Sequence, residues 1–145
     1  MRYKHIAAGV VAASLLTLGV TGNAEAQGRR CGPTYEKDDV GTLGTSWTLK
    51  SKHDDDGPGG SFVVGEEFEI HTNVAGQVWT ITFADNGLVF FTGDDVSATT
   101  GIREQHPTAN QPGTVQHMTA HAVNHTTGET IDAFLDVQPV AACGG

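Results

Sequence analysis

The chain has 145 residues, with eight basic against seventeen acidic side chains, a formal net charge of −9 and two cysteines. An acidic surface argues against nucleic acid and anionic membrane as partners, because both repel it. The length fits one ordinary domain, large enough to bury a core without metal or dense disulfide support.

Arg2 and Lys4 precede an uncharged, mostly apolar run from Ile6 to Val20, and Ala24-Glu25-Ala26 supplies the small-x-small pattern that signal peptidase accepts. Residues 1–26 therefore read as a cleavable secretory signal; the apolar run is shorter than the roughly 20 residues a membrane span needs. The expected product is secreted, with no membrane insertion after cleavage. Losing Arg2, Lys4 and Glu25 leaves six basic and sixteen acidic residues. In an oxidising compartment Cys31 and Cys143 are expected to pair, enclosing nearly the whole domain.

Residues 27–44 are rich in Gly, Asp and Thr and read as an N-terminal strap. From Thr45 to the C-terminus, residues 45–145, short β-branched and aromatic runs alternate with turn residues every eight to twelve positions, the spacing of an all-β sandwich or barrel. Thr45–Lys50 alternates Trp47 and Leu49 with polar neighbours, and Ser51–Gly60, with Asp54-Asp55-Asp56-Gly57-Pro58, reads as a loop. Phe62–Val64 is followed by Glu66–Asn73, where Phe68 and Ile70 face one way and Glu67, Glu69 and His71 the other. Val78–Ala84 puts Trp79, Ile81 and Phe83 on one face. Asp85-Asn86-Gly87 then turns the chain into Leu88–Thr92, an Asn-Gly hairpin. A weaker strand covers Val96–Thr99, and Gly101–Gly113, with Pro107 and Pro112, reads as irregular. Thr114–Asn124 and Thr130–Val137 form a last hairpin, with Ile131, Ala133, Leu135 and Val137 on one face.

About seven strands, with Trp79 in a central run and Met118, Ala120, Ala122 and Asn124 before a Gly-containing turn, resemble an immunoglobulin-like antiparallel β-sandwich. The cysteine pair that flanks the tryptophan of antibody domains is missing. The resemblance implies architecture and leaves function open. It also implies that the chain ends emerge at opposite ends of the sandwich; Gly32–Gly44 is long enough, at about 3.3 Å per residue, to carry Cys31 back to Cys143.

His117, His121 and His125 recur at intervals of four. On a helix from Val115 to Thr127, capped by Thr114 and stopped by Gly128, the first two would share a zinc or copper ion. On a strand they share a face but stand about 13 Å apart, too far for one ion. The all-β context and the β-branched Thr119 and Val123 favour the strand, in which case a metal would need His71 or His53 from another strand. Asp54, Asp55 and Asp56 offer oxygen ligands for calcium, yet position twelve of that loop is Gly65 where a calcium hand needs a bidentate Glu. No nucleophile elbow, zinc-protease helix or phosphate loop is present in the sequence, so a non-catalytic protein is expected. Counting from inward Leu88 and Phe90, Phe91 faces outward, as does Phe134, and the two are candidate ligand-binding aromatics. The expected function is a secreted binding module for an extracellular protein, a glycan or a small apolar ligand. The alternatives are a metal-binding protein and a proteinase inhibitor using Gly101–Gly113. In size, charge and export the chain resembles the enediyne-carrier apoproteins, without their internal disulfides.

Overall fold

The computed structural model describes residues 31–141 and Cys143; the secretory signal expected over residues 1–26 lies outside them. Eight strands follow one another: β1 Tyr35–Val40, β2 Ser46–Gly57, β3 Ser61–His71, β4 Val78–Asp85, β5 Leu88–Val96, β6 Ile102–Ala109, β7 Gln116–Asn124 and β8 Thr130–Val137. They pair antiparallel in two four-stranded sheets, sheet A in the order β1-β2-β3-β6 and sheet B in the order β5-β4-β7-β8.

Period-two alternation drives this arrangement. Trp47 and Leu49 on β2, Phe68 and Ile70 on β3, Trp79, Ile81 and Phe83 on β4, and Ile131, Ala133, Leu135 and Val137 on β8 all turn inward to one core. Each large side chain so buried contributes about 1.5–3 kcal/mol against remaining in water. Phe68 meets Phe83 edge-on across the sheets at 6.5 Å. The Asn86-Gly87 turn has positive φ at both residues, 50° and 82°, the geometry that matches hairpin twist.

β2 to β8 carry the immunoglobulin-like order: β2, β3 and β6 lie in one sheet, β4, β5, β7 and β8 in the other, and Trp79 is fully buried on β4, the first strand of the second sheet. β1 is additional: Tyr35–Val40, within the segment expected to be a strap, forms an edge strand of sheet A. It pairs with β2 from Tyr35 opposite Ser51 to Val40 opposite Ser46, and it runs beside β8, where Lys37 Nζ stands 3.7 Å above the Phe134 ring. The chain is thereby returned to the end where Cys31 and Cys143 form the disulfide.

Three expectations change. The aspartate run does not leave the sheet: β2 continues to Gly57 because Asp54 and Asp56 point away from the core, Lys52 pairs with Asp54 at 2.8 Å, and buried His53 stacks on Phe62. Only Pro58–Gly60 turns. Gly101–Gly113 is mostly strand β6, paired with β3 from Ile70 opposite Ile102 to Val63 opposite Ala109. Pro107 is tolerated because β6 is an edge strand with no ladder bond to lose on its outer side. The weak strand at Val96–Thr99 is instead the end of β5 plus a tight turn closed by an Ala98–Gly101 bridge. The His117–His125 segment is strand β7 with its following turn, so the helical alternative does not hold.

Candidate functional site

All four connections that leave the ends of β1, β3, β5 and β7 meet at one end of the sandwich. Their cross-bracing is dense. In the β7–β8 turn Asn124 Oδ1 accepts from the N–H groups of Thr126, at 2.8 Å, and Thr127, at 3.2 Å. Buried Glu129 closes that turn onto the β1–β2 loop: its Oε1 accepts from Leu43 N at 3.1 Å and Thr45 N at 2.9 Å, and its Oε2 from Thr45 Oγ1 at 2.6 Å. Gly41 must be glycine there, since a Cβ would stand 2.7 Å from Glu129 Oε1 and 2.8 Å from Ile131 Cγ1. Ser97 ties β5 to the β3–β4 connection, its Oγ accepting from Gln77 N at 3.0 Å and donating to Val74 O at 2.6 Å. At Gly101, with φ +96°, a Cβ would collide with the carbonyl of Ile70, so only glycine lets the last connection lie flat.

Between these connections lies a cup of about 680 Å³, within the size range of ligand sites, walled by Leu43, Ser46, His71, Val74, Thr99 and Thr100 among others. Hydroxyls and amides dominate it. Its one carboxylate, Glu129, is spent on the loop N–H groups, and His71 Nε2 donates to Thr48 Oγ1 at 2.8 Å, which donates to Asp38 Oδ1 at 2.5 Å. Leu43, 65% exposed, and Val74, 50% exposed, supply an apolar rim.

A polar cluster enters the opposite half of the interior, beside buried Val64, Met118 and Val137. Below the Phe68–Phe83 contact, Glu66 on β3 and Asp85 on β4 each continue the inward parity by two residues, so the carboxyls face each other across the sheets. Asp85 Oδ2 accepts from Gln116 Nε2 at 2.6 Å and Gln111 Nε2 at 2.9 Å. Asp85 Oδ1 and both oxygens of Glu66 have no partner among the described residues, and Glu66 is 2% exposed. Burial, and second the charge of Asp85, push the Glu66 carboxyl up to about 9, so it is neutral at physiological pH. The sequence carries a signal for this: parity from Phe68 and Ile70 puts Glu66 on the core side. Burial likewise lowers His53 from the ordinary imidazole range. A second hollow, about 520 Å³, opens on the outer face of sheet A where Gly65 has no side chain, walled by Lys50, Lys52, Glu67, Gln105 and Pro107.

The sequence candidates are dispersed. His53 is inside sheet A and His71 at the cup; His117 and His121 lie on the outer face of sheet B, each with Nδ1 2.7 Å from an aspartate opposite it on β8, Asp136 and Asp132. His125 Nε2 is bonded to Thr80 Oγ1 at 2.6 Å. Among the described residues, the one set of three ligand-bearing side chains with atoms within 4.8 Å is Cys31, Asp55 and Cys143, whose sulfurs are already joined. Asp54 is occupied by Lys52. Phe91 does not face outward: a bulge between Phe83 and Ala84 inserts Phe90 and shifts the parity, so Phe91 packs on Phe83 at 5.5 Å and stacks on His106 at 3.6 Å. Phe134 is outward and 49% exposed, under Lys37. Comparison with protein-family models, curated proteins and solved structures returns no match for this chain.

Proposed function

We propose that this chain is an exported, non-catalytic binding module whose ligand site is the four-loop cup, and that the ligand is a neutral, hydroxyl-bearing molecule such as a glycan. The observation that carries this reading is the cup itself: a depression formed by connections from both sheets, braced by Glu129 and Ser97, and lined largely by hydroxyl- and amide-bearing residues. Sandwich domains commonly place recognition on loops gathered at one end of a rigid scaffold. Neutral hydrogen-bonding walls beside an apolar rim suit a sugar, which offers hydroxyls on its edges and C–H groups on its faces. The space between the sheets is filled by Trp79, Phe68, Phe83 and Met118, which disfavours an apolar guest there. Export rests on the N-terminal signal pattern and agrees with the disulfide; among the described residues no helix is long and apolar enough to cross a membrane.

The test is a neutral-glycan array followed by calorimetry on the best binder. Thr100→Arg, at an exposed position in the cup wall, is expected to weaken binding at least tenfold, whereas Lys52→Ala in the sheet A hollow leaves it unchanged. Binding that ignores Thr100→Arg, or an array without binders, would remove the reading.

A further inference from the structure

The outer face of β7 and β8 carries a pattern that the cup does not use. Three cross-strand pairs follow one another: His117 opposite Asp136, Thr119 opposite Phe134, and His121 opposite Asp132. In both histidine pairs Nδ1 lies 2.7 Å from a carboxylate oxygen. A carboxylate only accepts, so Nδ1 carries a proton, and in the neutral imidazole Nε2 then keeps its lone pair. Neither Nε2 has a partner among the described residues, whereas His125 has spent its own on Thr80. A carboxylate on one ring nitrogen with the other free is how proteins orient an imidazole toward a metal.

One chain cannot complete such a site. The two rings stand about 13 Å apart along the strand, so each offers a lone ligand. A second copy can complete both sites. If two of these faces stack about a two-fold axis lying across the strands at the level of Thr119 and Phe134, His117 of each copy meets His121 of the other. Phe134, half exposed with Lys37 lying over its ring, sits midway between the histidine pairs and faces its own counterpart across the axis. Charge supplies the third argument. Two mature chains, each with six basic against sixteen acidic residues, repel each other, and a divalent cation held between them on each side of the axis offsets that repulsion.

We propose that this face is a zinc-dependent self-association surface, on which two copies of the chain hold two zinc ions, each between His117 of one copy and His121 of the other, with water completing the tetrahedron. The test is sedimentation or light scattering with zinc, combined with metal counting. Wild-type protein is expected to move from monomer to dimer mass with two zinc ions per dimer and to return on adding EDTA. His117→Ala and His121→Ala alone each remove one imidazole from both sites, so neither dimerises. An equimolar mixture of the two variants rebuilds one complete site and recovers dimer with one zinc. A wild-type protein that stays monomeric in zinc overturns the proposal, and so does either single variant dimerising as well as wild type. Circular dichroism on each variant confirms that these surface substitutions leave the sheets intact.

Discussion

Replacing Glu66 by Gln separates the cost of a buried carboxyl from everything else that titrates. In the folded chain the group ionises at about 9 against an ordinary value of 4.5. Between those limits the folded state holds a proton that the unfolded state has lost, so stability falls as pH rises. Each pH unit costs about 1.4 kcal/mol. Below pH 4.5 both states are protonated and the group costs nothing in this sense; at pH 7 the cost is about 3 kcal/mol, and by pH 9 it reaches about 6 kcal/mol. Stabilities of ordinary domains are about 5–15 kcal/mol, so the native chain is expected to lose much of its margin in mild alkali. Glu66→Gln keeps the shape, cannot ionise, and offers an amide N–H toward the unpartnered Oδ1 of Asp85. Urea titrations at half-unit steps from pH 5 to 9 should show the two proteins close together at pH 5 and diverging upward, the variant the more stable. Subtracting one series from the other cancels groups common to both. A difference that is flat with pH, or a wild type that gains on the variant as pH rises, would refute the argument that Glu66 is buried neutral.

Reducing the Cys31–Cys143 bridge releases a loop with a sequence separation of 112. Chain entropy assigns about 4.7 kcal/mol to a loop of roughly 100 residues, so thermal melts should fall by tens of degrees in reductant while the far-ultraviolet spectrum below the transition stays all-β. An unchanged melt would make the bridge a bystander. Glu129→Ala strips three hydrogen bonds from a buried acceptor, leaving the Leu43 and Thr45 donors without it, and is expected to cost about 3 kcal/mol. Hydrogen exchange at the Leu43 and Thr45 amides should accelerate well beyond that of β4; equal rates in both proteins would show that Glu129 does not hold the cup together.

Much of the scaffold could be read from residue order because local and global signals agree there. Asn86-Gly87 fixes a turn and Trp79, Ile81 and Phe83 fix the buried face, so β4 and its hairpin need no further information. β6 was hidden for the opposite reason: Arg103, Gln105 and Pro107 face solvent on an edge, while only Ile102 marks the core side strongly. Its pairing with β3 decides the matter, and a pairing between distant segments leaves no local trace. Phe91 shows how one inserted residue defeats counting, since the bulge at Phe83 reverses the parity beyond Leu88. Glu66 was legible by alternation yet masked by its neighbour Glu67, which made the pair look like ordinary surface charge. The cup is a convergence of four connections far apart in sequence; composition marks each as a turn, and only the sheet order brings them together.

Strand β1 and the bridge put Cys31 and Cys143 side by side at the pole opposite the cup. Whatever is tethered through either cysteine-proximal end therefore leaves the cup facing away from the attachment point, unobstructed. Copies strung in tandem, or one copy spliced into a surface turn of another protein, would each display the same opening outward, and their spacing would depend on the tether alone.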